Sequence, residues 1–264
     1  MYRYPTNSLE RALMSLELIA RRPGGLTHTE ISQMLAIPKS SCSYILGQLE
    51  RHHYLIRDKD TGRYEVGLKL VGLAHGVRED SKVSKTLAPL LRKFVEETGL
   101  TVAVGVLRQG NVVLIENVDS ARFTRVKLSV GMELSYYSMA VGKLLVAVLP
   151  KRAIDEIIDR YGLSTGIETT SNSKTNLLRE LETIRKQQYA TNTRVRGVYS
   201  VAVPIFDAAG AVRAGLVATG SKIEKAWNHP KYVMEQLRMT AQEIELAIPA
   251  WPSLGTSDYS VIGK

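Results

Sequence analysis

Cysteine is almost absent from this chain. Cys42 is the only one in 264 residues, so there is no internal disulfide framework, and the chain fits a reducing cytoplasm. Long apolar runs are missing too. The stretch 144–149 is among the longest and is far too short to span a bilayer, and no secretory pattern opens the chain, so no membrane partner is expected. The five histidines, His28, His52, His53, His75 and His229, show no metal-ligand spacing with cysteine or paired carboxylates. There is no Walker loop and no glycine-rich dinucleotide fingerprint, and Ser200 lies in no nucleophile elbow. Asp155, Glu156 and Asp159 fall on one helix face, where solvated charge is the default. These absences argue against an enzyme, and no cofactor or metal is expected.

What is present is the composition of an ordinary globular protein, 44% hydrophobic and 23% charged, long enough for two domains and a sizeable core in the larger. The net charge of +9 favours contact with a polyanion. Its distribution limits that argument, because residues 1–66 hold nine Lys/Arg against seven Asp/Glu. Phosphate contacts by this part must come from a few placed groups, Lys39, Arg51, Arg57, Lys59 and Arg63, with amides at helix starts.

Residues 27–49 carry the strongest local signal. Thr27 and Glu30 are spaced as a capping box before an apolar run, and Leu26 and Ile31 as the matching hydrophobic staple. Ala36-Ile37-Pro38 stops this first helix, since proline disfavours a helical residue before it and suits a first helical position. A second helix follows from about Lys39 to Arg51. Cys42, Ile45, Leu46 and Leu49 form its apolar stripe, with Ser40, Ser43, Tyr44, Gly47, Gln48 and Arg51 on the other face. Residues 54–57 and 63–66 then flank a turn in which Gly62 supplies positive φ, a hairpin or wing. Helix, turn, helix and wing in this order predict a winged helix-turn-helix that reads double-stranded DNA through the start of its second helix. The plainer reading is a helical hairpin that only packs. The DNA-contacting candidates are Thr27, Lys39, Ser40, Ser41, Ser43, Tyr44, Gln48, Arg51, Lys59 and Arg63, and Tyr44 can equally pack at the helix edge.

Asn7 and Glu10 open a supporting helix whose Leu9, Ala12, Leu13, Leu16 and Ile19 fall on one side, stopped by Pro23-Gly24-Gly25. Residues 68–80 read as a connecting helix able to bury a stripe against a partner subunit, and 80–84 as a joint. Beyond it, helices are expected at 87–98, 138–149, 151–160, 175–188 and 230–247, and strands at 101–107, 111–118, 125–130, 199–205 and 211–219. Strand pairs joined by short turns imply an antiparallel sheet with packed helices, so the class is α+β. The expected division is 1–67 for the winged unit, 68–84 for the linker helix, 85–249 for a sensor domain and 250–264 for a loose tail.

Read as a whole, the chain resembles the IclR family of bacterial transcriptional regulators. The resemblance rests on Ser8-Leu9-Glu10-Arg11-Ala12-Leu13, Leu26-Thr27, the turn from Leu35 through Pro38 to Ser41, and Gly62-Arg63-Tyr64 before Gly67. It continues in Gly131 followed by Ser138-Met139-Ala140-Val141-Gly142-Lys143, and in Gln188-Tyr189-Ala190, then Gly197 through Asp207 and Gly210 to Gly220. The resemblance implies a GAF-like effector domain, a homodimer or homotetramer on a palindromic operator, and a small organic acid or aromatic catabolite as effector. It places the pocket at Tyr136, Tyr137, Ser138, Met139, Ala140, Gly142, Arg194, Ser200, Ala202, Val217 and Thr219. In chemical terms, the turn before the helix offers amides and the Ser138 hydroxyl. Arg194 or Arg196 offers charge, Ser200 and Thr219 offer hydrogen bonds, and Tyr136, Tyr137 and Tyr199 form an aromatic wall. The alternative is that these tyrosines are core residues and the arginines are solvated.

The departures from the family bear on effector and operator. Ser200 stands where a cysteine is common, Val217 and Thr219 where hydroxyls often appear, Ser135 and Tyr137 where proline and histidine are frequent, and Tyr44 where an arginine is common. Thr191-Asn192-Thr193-Arg194-Val195-Arg196 replaces a stretch that is often acidic. Two other readings stay open at this point: a constitutive regulator without ligand, and a small-molecule enzyme or binding module with a vestigial winged domain.

Overall fold

The computed structural model describes residues 7–79, 81–108, 110–121, 128–137, 139–161, 174–192 and 197–251. The chain divides into two compact units, Met1–Ser81 and Lys82–Lys264. In the first, α1 (Ser8–Ala20) starts where Asn7 Oδ1 accepts from the Glu10 amide at 2.9 Å. Gly25, at φ 68°, lets the chain pass against the strand at Arg63–Val66, since a Cβ there would lie 2.5 Å from the Tyr64 carbonyl oxygen. β1 (Leu26–Thr27) leads into α2 (His28–Met34), and Pro38 caps α3 (Lys39–Arg51). Between the helices Ala36 takes φ 51°, and the buried Ser32 hydroxyl fixes the turn by donating to the Ile37 carbonyl at 2.7 Å. β2 (Leu55–Arg57) and β3 (Arg63–Val66) form the wing hairpin, the sheet order is β1-β3-β2, and α4 (Lys69–Glu79) follows.

The core of this unit is Ile19, Leu26, Ile31, Leu35, Ile37, Cys42, Leu46, Leu55 and Tyr64. The staple and the α3 stripe therefore stand as the sequence implies. The face expected on α1 does not. Leu9 and Leu13 are 71% and 52% exposed, because this small core reaches only the later turns of the helix. Cys42 is fully buried, and burial pushes its thiol up to about 11. The thiolate is the reactive form. Alkylation at pH 8 is thus expected to proceed only as fast as the winged unit opens, and rapid labelling of the folded chain would contradict this placement.

In the second unit α5 (Lys82–Thr98) begins five residues before the expected start, with Val83 joining Leu87, Leu91 and Phe94 on its buried side. Six antiparallel strands follow in the order β6-β5-β4-β9-β8-β7. They are β4 (Thr101–Arg108), β5 (Asn111–Val118), β6 (Glu133–Ser135), β7 (Ala190–Asn192), β8 (Val198–Phe206) and β9 (Val212–Ser221). The short β6 and β7 were not expected. Of the strand expected at 125–130, residues 125–127 lie outside the described residues, and 128–130 are not in a strand. One face of the sheet packs against α6 (Ala140–Ala147), α7 (Lys151–Tyr161) and α8 (Lys174–Gln187), the other against α5 and α9 (Pro230–Ala247). With both faces covered, β8 and β9 are nearly continuous apolar runs rather than alternating ones.

Candidate functional site

The start of α3 is built to present donors. Pro38 provides no side-chain cap, so the first-turn amides have no partner within the helix and carry the positive end of its dipole. Lys39, Ser40, Ser43, Tyr44 and Arg51 are exposed, and Ser41 and Gln48 are half-buried. Tyr44 stands 66% exposed, so it is not packed into the core of the unit. On the wing, Asp58 Oδ1 accepts from the Asp60 and Thr61 amides and from the Thr61 hydroxyl, at 3.0, 2.7 and 2.8 Å. These bonds hold the Asp58 carboxyl below its usual range and fix the loop on which Lys59 is exposed.

Two of the named residues are occupied within the unit. Thr27 completes the capping box: its hydroxyl accepts from the Glu30 amide at 3.3 Å, and its own amide donates to Glu30 Oε2 at 2.7 Å. Arg63 Nη1 donates to the Gly25 carbonyl at 2.9 Å and lies 3.4 Å from Glu30 Oε2. The Thr27 hydrogen bonds, with Arg63 nearby, hold the Glu30 carboxyl below the usual range.

In the second unit Ser200, Ala202, Val217 and Thr219 lie together on the α6 face of the sheet. Strand register aligns Asn192 with Ser200, Ser200 with Thr219, and Thr219 with Thr101. All four are buried, a polar row in an otherwise apolar face. The next row is Ala190, Ala202, Val217 and Ala103, all small and all buried. Ser200 and Thr219 hydroxyls are 2.9 Å apart, Thr219 also donates to the Tyr199 carbonyl at 3.4 Å, and Thr101 Oγ1 accepts from the Ser120 amide at 2.9 Å. If Ser200 is the donor to Thr219, both hydroxyl hydrogens are engaged and acceptor capacity remains on Ser200. Thr101 and Asn192 were not singled out from the sequence.

Tyr136 and Tyr137 are buried beside this face, their rings edge to face at 5.1 Å, and burial pushes the Tyr136 hydroxyl up to about 12. Tyr199 does not join them. It alternates with Ser200 along β8 and lies on the opposite face against Trp227, so the aromatic wall holds two tyrosines rather than three. Ser138, Arg194 and Arg196 lie outside the described residues. Met139 precedes α6 without a side-chain cap, leaving the amides of its first turn available. Gly142 works by close approach: a Cβ there would lie 2.2 Å from the Tyr136 carbonyl oxygen, so only glycine lets the turn at 136–137 pack on α6.

Helix α8 grips α6 from outside. Lys143, 2% exposed, meets Glu180 at 2.5 Å. Arg185 Nε donates to the Ala147 carbonyl at 2.6 Å and its Nη2 to the Leu149 carbonyl, capping the negative end of α6. Among the described residues there is no group of three or more His, Cys, Asp or Glu that can hold a metal ion, and no helix is long and apolar enough to cross a membrane.

Comparison with known proteins places both units. Residues 8–59 match the IclR helix-turn-helix domain and residues 75–246 the bacterial transcriptional regulator IclR C-terminal domain. The HTH-type transcriptional regulator XynR of Escherichia coli K12 is 29% identical over 211 residues, 79% of this chain and 84% of XynR. The crystal structure of Thermotoga maritima IclR superposes with a TM-score of 0.68 at 27% identity, covering 92% of this chain and 99% of that one. An IclR homologue from Microbacterium hydrocarbonoxydans, solved with 4-hydroxybenzoate, shares the fold at a TM-score of 0.76 and 20% identity, over 93% of this chain and all of its own.

Proposed function

The chain belongs to the IclR family of bacterial transcriptional regulators, and from that premise we propose a cytoplasmic, ligand-responsive regulator that binds a palindromic operator as a dimer or a pair of dimers. Residues 1–67 are the reader, 68–81 the linker and 82–249 the sensor, which takes in the start of α5 at Lys82. The start of α3 enters the major groove, where Ser40, Ser43, Tyr44 and Gln48 meet base edges and Lys39, Arg51 and Lys59 meet phosphates. Replacing Lys39 by alanine is expected to weaken binding to all sequences and to flatten the dependence of log K on log salt by about 0.9 for each phosphate that is no longer neutralised. An unchanged slope in a titration from low to physiological salt would remove Lys39 from the interface.

The effector is a small organic acid. The observation that carries this reading is the buried polar row Asn192, Ser200, Thr219 and Thr101 on a face otherwise lined by alanine and valine. A carboxylate needs donors, and the uncapped first turn of α6 supplies them. A hydroxyl on the ligand donates to Ser200, so hydroxylated acids, aromatic or sugar-derived, fit best. The 4-hydroxybenzoate held by the structural neighbour is an acid of this kind. Effector and operator are linked through differential affinity for two arrangements of the protein.

Calorimetry with hydroxylated and plain carboxylic acids tests the site. Ser200→Ala is expected to cost a hydroxylated acid about tenfold, the scale of one hydrogen bond, and an acid without the hydroxyl little. Thr219→Val leaves the Ser200 hydroxyl buried without its partner and is expected to cost about 1–2 kcal/mol of stability as well. Binding of neutral compounds with no response to any carboxylate would defeat the reading.

A further inference from the structure

The opposite face of the sheet holds a cavity of about 580 Å³ between β7, β8 and α9. Its volume lies within the range of small-molecule sites. Tyr199 and Val201 of β8 line it, with Trp227 and Met234. The Trp227 ring meets Tyr199 edge to face at 4.7 Å. Trp227 Nε1 lies against Gly220, where a Cβ would come within 3.4 Å of it. This N–H is buried and has no hydrogen-bond partner among the described residues, a condition that proteins rarely leave unanswered.

The charge at the rim has one sign in excess. Lys231 and Arg238 lie seven residues apart on α9 and so share one side of it; both are exposed, and neither makes an ion pair among the described residues. Glu235 is the one carboxylate among the lining residues. An aromatic slot and a net positive rim together select an amphipathic anion with a flat ring.

We propose that this cavity is a second small-molecule site, taking an aromatic carboxylate whose ring lies against Tyr199 and Trp227 and whose carboxylate faces Lys231 and Arg238. It is separate from the site on the α6 face and stands whether or not that one binds an acid. The two share a strand. Tyr199 and Val201 face this cavity, while Ser200 and Ala202, between and beside them, face the other side. A ligand here that displaces β8 thereby couples to the other face, and the coupling is reciprocal.

The chain has two tryptophans, so Trp251→Phe leaves Trp227 as the sole indole reporter. Titration of that full-length variant with 4-phenylbutyrate, excited where this acid does not absorb, is expected to give a saturable change in emission. Affinity should fall at least tenfold in Lys231→Gln/Arg238→Gln and for the neutral amide of the same acid. Calorimetry on the unaltered chain and the same variants gives a readout that does not depend on Trp251→Phe folding. The proposal is overturned by the absence of saturable binding, by an equal response to the amide, or by undiminished affinity in the double variant. A Trp227 emission that changes with protein concentration and not with ligand also overturns it, because a second copy then covers the groove.

Discussion

Replacing Glu180 with alanine is expected to cost the C-terminal unit about 3 kcal/mol, the lower end of what breaking a buried ion pair costs. The position looks harmless, because Glu180 is a third exposed on the outermost helix of its face. The cost arises on Lys143, whose side chain is 2% exposed on a helix with every residue buried. Without Glu180 its buried ammonium loses the carboxylate that meets it at 2.5 Å. The reverse change is mild. Lys143→Met keeps the volume and removes the buried charge, while Glu180 can still be hydrated, so a loss of about 1 kcal/mol or less is expected. Urea denaturation of both variants and of Lys143→Met/Glu180→Leu checks the asymmetry, with the double variant near the parent. Equal losses in the two single variants would show that the pair is not buried in the sense described. Because this pair and Arg185 add to the packing of Leu177, Leu181 and Ile184 that holds α8 to α6, Glu180→Ala should also weaken any ligand that relies on the first turn of α6.

The elements that were legible in the sequence are those whose signals are local. The ends of α3 follow from Pro38 and its apolar stripe, α9 from Pro230, and the wing from Gly62 with its flanking pairs, and each stands within a residue of expectation. β6 and β7 escaped because three residues show no period. The start of α5 escaped because Lys82, Val83 and Ser84 look like a joint. Val83 packs, and Ser84 donates to Glu116 on β5, a contact invisible without the fold. The same holds for the polar row: β4 and β9 are neighbours in the sheet but far apart in sequence, so Thr101 meets Thr219 only once register is known. Tyr199 is a different case. The period of two along a strand already forbids it the same face as Ser200, and the aromatic wall overlooked that rule. Periodicity on α1 marked Leu9 and Leu13 as apolar, but a period cannot say whether the covering surface belongs to the same chain.

Introducing glutamate at Leu13 and Val71 together is expected to reduce operator affinity at least about 100-fold while leaving the winged unit folded. Leu13 and Val71 are 52% and 62% exposed, so neither substitution opens the core. On α1 Leu9 is 71% exposed as well, and at α4 Leu68 and Leu73 are 77% and 51% exposed, so the N-terminal unit shows water a large apolar area that it does not cover itself. A helix as short as α4, with its apolar residues in water, has little reason to stay helical unless something buries them. On the proposed reading a second copy does so, which sets the spacing of two α3 helices on a palindrome. Two linked half-site contacts exceed one by about 10²–10⁴ through effective concentration alone, and this is the factor the charges remove. Fluorescence anisotropy with full-site and half-site duplexes separates the cases. The double variant should lose the full-site advantage and bind the half-site within threefold of the parent, with the salt slope on the full site roughly halved. Full-site affinity within threefold of the parent would show that these residues do not join the two readers, and that the apolar surface of α1 and α4 serves another contact.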